Sequence, residues 1–360
     1  MSFLRNAWYV ALWGQDLAPG ELAARTILGE PLVLFRNAAG EARALFGICP
    51  HRFAPMQKGS VRPDGRVQCG YHGLQFDQHG ECVHNPHGAA PASCRLRAYP
   101  VVEKDTIVWV WMGNEPPRPD RIPDFSFLQE QPGQVASRRE WLTMKASYRL
   151  VLDNLLDLSH VPYLHEGLLG NASTVKADTR VEERGDEVFV SRDKFDVTPP
   201  GLLDKLFRND GQPVHAWQTI RWTPPSNFKN DSGVYPVNGV RSDGAGLLSA
   251  HLLTPIDEFN TMYHFAAVRQ GVPLPPERNA EELAVQLTEL RRQAFEHQDE
   301  PMIEAQQEVI RRFPQFTARQ CLLKSDAGVV RANRLLDKLI EEERQAGAPV
   351  RHGAGFNLPG

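Results

Sequence analysis

The feature that most restricts this chain is a repeated pairing of sulfur and imidazole. Cys49-Pro50-His51 is followed after seventeen residues by Cys69-Gly70-Tyr71-His72, each pair setting a cysteine two or three positions from a histidine. Four such side chains in two short segments are within reach of one metal centre, which requires the segments to meet as loop or hairpin tips. Five cysteines in 360 residues are too few, and an odd number, for a disulfide scaffold.

Zinc held by two cysteines and two histidines and a Rieske 2Fe–2S cluster both use this ligand set. A zinc finger usually keeps its cysteines in one pair and its histidines in the other, whereas here each pair mixes the two. Mixing lets two tips converge with both sulfurs on one side of a cluster and both imidazoles on the other. Gly59, Gly65, Gly70 and Gly73 give the backbone freedom that close approach to sulfides needs. Imidazole in place of thiolate raises the potential of such a cluster to about −150 to +300 mV. Buried thiols beside ordinary core histidines account poorly for this arrangement. Cys82, Cys94 and Cys321 have no partner pattern, and His79, His84 and His87 read as exposed turn residues.

A second dense segment runs from Asp153 through Asn154, Asp157, Ser159, His160 and Pro162 to His165. Asp157 and His160 share a helix face with Asp153 and Asn154. His160 and His165 are five apart, off one another's face on a straight helix, and Pro162 between them forces a kink. A kinked or widened turn brings both imidazoles onto one ion. Further on, Leu287, Leu290, Phe295, Met302 and Ile303 outline an apolar helical face on which Asp299 falls, with Glu296, Glu300, Glu304 and Glu308 as a solvated edge. A carboxylate in apolar surroundings needs a partner. Asp299 either completes a two-histidine, one-carboxylate set suited to non-heme Fe(II) and dioxygen, caps the segment starting at Pro301, or pairs with Arg291 or Arg292.

The remaining texture describes an α+β protein. The length predicts about two domains. Residues 1–115 read as an all-β module with strands at 31–36, 67–69, 96–102 and 106–112. Five prolines at 116, 117, 119, 123 and 132 mark 116–140 as a linker or packed arm. Residues 141–344 read as an antiparallel sheet with flanking helices: a helix over 146–158 ended by Pro162, strands at 187–192, 215–222, 247–253 and 262–268, and long helices over 280–312 and 325–344. A flexible tail is expected over 345–360. A formal charge of −4 with no basic run argues against nucleic acid. No apolar stretch approaches the ~20 residues of a membrane span, and no signal peptide is visible, so a cytoplasmic protein is expected.

Together these motifs resemble the Rieske non-heme iron oxygenases, among them the catalytic subunits of vanillate O-demethylase, toluenesulfonate methyl-monooxygenase and dicamba monooxygenase. The likeness runs from Arg5-Asn6-Ala7-Trp8-Tyr9-Val10 to Asp326-Ala327-Gly328. It implies an N-terminal Rieske domain and a helix-grip catalytic domain. Cys49, His51, Cys69 and His72 would bind the 2Fe–2S cluster, and His160, His165 and Asp299 the mononuclear Fe(II). It also implies a head-to-tail homotrimer in which Asp157 bridges His160 and a neighbour's His72. Asn154 falls where the family places a polar neighbour of the iron. An ungapped match through Ala216-Trp217-Gln218-Thr219-Ile220-Arg221-Trp222 puts Asn230 and His251 at carboxylate-binding positions, where neutral donors would pair an aromatic acid's anion without burying a full cation. The surroundings of Asn230 are polar, and a surface-loop asparagine is the alternative.

The activity implied is that of a terminal monooxygenase using O2, most simply O-demethylating a methoxybenzoate-type acid with release of formaldehyde. Ring hydroxylation, or methyl hydroxylation of a related acid or arenesulfonate, is the alternative. No Gly-rich dinucleotide fingerprint follows a strand, so NADH is expected to act through a separate reductase, with or without a ferredoxin. An electron carrier with a ligand-binding domain would need the first constellation but not the second. A zinc-stabilised interaction protein would be colourless.

Overall fold

The computed structural model describes residues 3–131 and 133–347. Of the tail expected over 345–360, Gln345 closes the last helix, and 348–360 lie outside the described residues, as does Pro132. The described residues divide into two compact units, one from 3–122 with 254–258 and 339–347, the other from 123–253 and 259–338 without Pro132.

The first unit is built from short strands: β1 (Trp8–Trp13), β2 (Ala23–Ile27), β3 (Glu30–Arg36), β4 (Ala42–Phe46), β5 (Ser60–Val61), β6 (Val67–Gln68), β7 (Gln75–Phe76), β8 (Cys82–His84), β9 (Ala98–Tyr99), β10 (Val101–Lys104) and β11 (Ile107–Trp111). They form three small sheets, ordered β1-β11-β10, β2-β3-β4-β9 and β5-β6-β7-β8. β1 and β11 pair antiparallel and are buried at every position, which explains their unbroken apolar runs. The single strand expected over 96–102 is split at Pro100. Lacking an N–H, Pro100 separates β9, which pairs with β4, from β10, which pairs with β11. Within this unit the proline-rich arm is packed: the Trp8 and Trp111 indole N–H groups donate to the Arg118 and Glu115 carbonyls at 2.7 and 2.9 Å.

The second unit holds β12 (Glu140–Met144), α1 (Tyr148–Leu156), α2 (Val161–Leu164), β13 (Thr179–Arg184), β14 (Glu187–Val197), α3 (Gly201–Leu206), β15 (Val214–Thr223), β16 (Asn227–Pro236), β17 (Ala245–Pro255) up to Leu253, β18 (Thr261–Gly271), α4 (Ala280–Ala294), α5 (Glu300–Arg312) and α6 (Ala327–Gln345) up to Lys338. Its seven-stranded antiparallel sheet is ordered β12-β18-β17-β16-β15-β14-β13.

Two expectations are corrected here, and one alternative is set aside. The helix over 146–158 stops at Leu156, well before Pro162. The Asp157 carboxylate accepts the Ser159 N–H at 2.7 Å, which turns the chain out of the helix, and Pro162 sits in the first turn of a second helix, where its missing N–H is harmless. The two histidines thus cap the two ends of this short second helix, beyond a break rather than across a kink. Residues 280–312 are not one α-helix: a π turn over Phe295–Asp299 joins α4 to α5, and the phase change leaves Met302 about half exposed instead of on the buried face. Asn230 lies in β16, not in a loop. That strand is polar because its charges are satisfied laterally: Asp231 accepts from the Trp217 indole at 2.8 Å, Gln270 at 2.9 Å and Arg241 at 2.9 Å.

Candidate metal centres

The first centre is made by two loops of matching construction. In one, the Cys49 N–H donates to the Ala54 carbonyl and the Phe53 N–H returns to the Cys49 carbonyl; in the other, Cys69 and Leu74, then Gly73 and Cys69, make the same pair of bonds. The residue four beyond each cysteine takes a left-handed conformation, φ 58° at Phe53 and 74° at Gly73. The loops press together closely enough that a Cβ on Gly70 would strike the Lys58 carbonyl. Cys49 and Cys69 are buried side by side, while His51 is exposed and His72 half-exposed, their ring centroids 4.5 Å apart. Burial pushes the Cys49 thiol up to about 11, and the neighbouring Cys69 adds to the rise. Two adjacent buried sulfurs of this kind become stable thiolates only against a cation. Sulfurs inside and imidazoles outside fit a cluster with one iron on each pair. The His87 ring lies 6.4 Å from that of His72, and one His87 nitrogen is 3.2 Å from the His72 carbonyl, outside the ligand set.

The second centre gathers residues from the break after α1 and from the π turn. His160 Nε2 and His165 Nε2 are 3.3 Å apart, and Asp299 Oδ1 is 3.7 and 3.2 Å from them. Ligand atoms about 2.1 Å from one ion and at right angles lie about 3 Å apart, so the three atoms outline one face of an octahedral site. The π turn aims Asp299 inward: the Glu300 N–H reaches back five residues to the Phe295 carbonyl, and Pro301 has no N–H to offer the His297 carbonyl. Arg292 pairs with Glu296 and Arg291 bonds Ser249, so neither takes Asp299, and Asp299 makes no side-chain cap on α5.

The surrounding contacts orient these groups. Gln298 Oε1 lies 2.7 Å from His165 Nδ1, so Nδ1–H donates to it and Nε2 keeps its lone pair for an ion. Asn154 Nδ2 donates to Asp299 Oδ1 at 3.0 Å. Burial works against protonation of His165, but Asp299 and Gln298 outweigh it and raise the imidazole above its ordinary value. Asp157 Oδ2 stands 3.8 Å from His160 Nδ1, an ionic approach without a hydrogen bond. Burial would raise the Asp157 carboxyl, but its His160 and Ser159 neighbours outweigh that and hold it below the usual range. Asp153, on the same helix, turns elsewhere and accepts from Asn333 at 2.7 Å.

A cavity opens from these three side chains toward the sheet, with Asn230, Ser249 and His251 on its wall. His251 is buried and kept neutral, first by burial and then by the charge of Arg291. Its Nδ1 is 2.5 Å from the Tyr263 hydroxyl; with that hydroxyl as donor, Nε2–H is left for a ligand. Asn230 Oδ1 is buried without a partner. Gln298 and Arg291 were not singled out as site residues, since neither side chain has a local motif.

Comparison with known proteins agrees with this geometry. The Rieske [2Fe-2S] domain family matches residues 7–100, and the vanillate O-demethylase oxygenase C-terminal domain family matches residues 144–342. The oxygenase component of dicamba O-demethylase from Stenotrophomonas maltophilia is 36% identical over 95% of this chain and 99% of its own. The toluene-4-sulfonate monooxygenase system iron-sulfur subunit of Comamonas testosteroni is 31% identical over 96% of this chain and 100% of its own. A crystal structure of dicamba monooxygenase bound to dicamba superposes with a TM-score of 0.86 at 34% identity, covering 96% of this chain and 100% of that one. The chain therefore belongs to the Rieske non-heme iron oxygenases of the vanillate O-demethylase type, as the oxygenase component of a monooxygenase with a 2Fe–2S cluster and a mononuclear iron.

Proposed function

We propose that this oxygenase removes an O-methyl group from a small aromatic acid, with Cys49, His51, Cys69 and His72 holding the cluster and His160, His165 and Asp299 the iron. The observation that carries the reading is the open triad: three ligand atoms 3.2–3.7 Å apart face a cavity that Asn230 and His251 also line. When bound, the iron supplies reductive activation of dioxygen with electrons delivered through the cluster. The chain's part is positional. Asn154 and Gln298 fix the ligands, Leu155, Leu158 and Ile220 exclude water around the ring, and Asn230 and His251 hold the acid end. Oxidation of the methoxy carbon to a hemiacetal, which collapses to a phenol and formaldehyde, follows from placing the methyl group rather than the ring at the open face.

The chain is one component of a multicomponent system and takes its electrons from a partner. We read that partner as a separate NADH-dependent reductase in the cytoplasm, with or without an intervening ferredoxin, and the assembly as a head-to-tail homotrimer. Support comes from two exposed surfaces. Around the cluster histidines, Phe53 and Tyr71 are 59% and 62% exposed; beside Asp157, a groove in the second unit carries exposed Met302, Val309 and Leu322. In the trimer Asp157 would pass electrons between a neighbour's His72 and His160.

The likeness to the toluenesulfonate enzyme favours one second reading, hydroxylation of an aryl methyl group. Purified holoenzyme with a surrogate reductase, offered methoxybenzoates and toluenesulfonates, separates the two. Formaldehyde with an equivalent of phenol supports demethylation; benzylic alcohol without formaldehyde replaces it.

A further inference from the structure

The cavity beside the triad carries more positive charge than its own residues balance. Lys194 from β14 and Arg291 from α4 both line it, and among the described residues lining it the only carboxylate is Asp299, already engaged by His160, His165 and Asn154. Arg291 is 4% exposed. Its Nη1 donates to Ser249 Oγ at 3.0 Å, its Nη2 reaches the Ala266 carbonyl only at 3.5 Å, and its Nε has no acceptor. A guanidinium has five N–H donors, and here they meet two neutral oxygens. The rings of Phe265 and Phe295, centred 5.8 and 5.1 Å from Cζ, hold it in place, and the Glu140 carboxylate, outside the cavity lining, acts on it by charge. A buried guanidinium whose N–H groups donate only to neutral oxygens is costly unless an anion arrives on its cavity side. Burial brings Lys194 down to about 8, so it too is largely charged at neutral pH.

Register places Arg291 among the neutral donors. Ser249 on β17 lies directly opposite Asn230 on β16, and His251 follows two residues later on the same face of the strand. A full cation is therefore buried beside the neutral donors expected to receive the acid.

We propose that Arg291 pairs with the anionic group of the substrate, so that the enzyme selects aryl carboxylates or sulfonates over their neutral esters. This rests on the aromatic-acid reading above and names the residue that enforces it. The planar fork of Arg291 matches either anion, and the hydrogen bond to Ser249 fixes the fork's orientation.

The test is equilibrium binding to holoenzyme under anaerobic conditions, measured calorimetrically for 3-methoxybenzoate, 4-toluenesulfonate and methyl 3-methoxybenzoate. The wild type is expected to prefer the acids over the ester by about 100-fold or more, and Arg291→Met to reduce that ratio to within about threefold of unity. Arg291→Lys should restore part of it, because a point charge replaces the fork. If Arg291→Met loses the visible absorbance of the cluster, Arg291→Gln is read for the same ratio. A merely structural arginine would not move an acid-to-ester ratio. An unchanged ratio in the folded variant, or a wild type that binds ester as tightly as acid, overturns the proposal. Because binding is read without turnover, acid selectivity that depends on Arg291 but yields no formaldehyde from any methoxyarene would sink only the demethylation reading.

Discussion

Asn154 Nδ2 donates at 3.0 Å to the same Asp299 oxygen that lies 3.2 Å from His165 Nε2. One helix thus sets the orientation of a carboxylate carried by another, 145 residues away. Asn154→Ala should weaken iron retention by roughly 10- to 100-fold while the cluster stays loaded. Metal analysis after dialysis against a chelator, set beside the visible spectrum, checks this; full iron occupancy in the variant would show that Asn154 has no such role.

Gln298 acts on a second group of the proposed iron site, His165. Without its carbonyl, His165 loses the acceptor that keeps the proton on Nδ1, and the tautomer that blocks Nε2 becomes accessible. Gln298→Leu should lower iron affinity by roughly 10- to 100-fold, and Gln298→Glu should retain it. The same chelator titration reads both variants.

Asp157 makes no bond to the iron in the proposed scheme, so its loss should separate loading from turnover. Asp157→Asn is expected to keep both centres and normal chemical reduction of the cluster, yet lose reductase-driven product formation by about 10- to 100-fold or more. Turnover at the wild-type rate with both centres full would remove Asp157 from the electron path.

Asp153 gives the fold a pH dependence. Burial raises its carboxyl to about 7, against the Asn333 amide that favours the anion. The unfolded chain releases this proton near pH 4, whereas the fold holds it to about pH 7, so stability falls across that interval as pH rises and levels above it. Asp153→Asn should flatten that slope and leave the variant relatively more stable at pH 8, on the order of 1–3 kcal/mol. Chemical denaturation at pH 5 and pH 8 for both proteins gives the comparison; parallel slopes would refute it.

What could be read before the structure depended on range. The Cys49–His51 and Cys69–His72 pairs are intelligible as sequence because each ligand lies within three residues of its partner and each loop closes on itself. His160 and His165 are likewise local. Asp299 was visible as a carboxylate on an apolar face, but not the π turn that aims it, since an α-helix and a helix with one widened turn share nearly the same apolar pattern. β16 was hidden because its Asp231 meets Trp217, Arg241 and Gln270, which lie 14, 10 and 39 positions away. The hydrogen bond from His165 to Gln298 spans 133 positions, and that from Arg291 to Ser249 spans 42, distances at which residue spacing carries no signal.

The widened turn at Phe295–Asp299 holds one residue more than an ordinary helical turn would. Deleting a single residue within it would give this segment the phase of an ordinary helical turn and swing the carboxylate away from the histidines. The catalytic iron is therefore tied to the count of residues in this helix: lengthening or shortening it by one is equivalent to removing a ligand, even with Asp299 itself untouched.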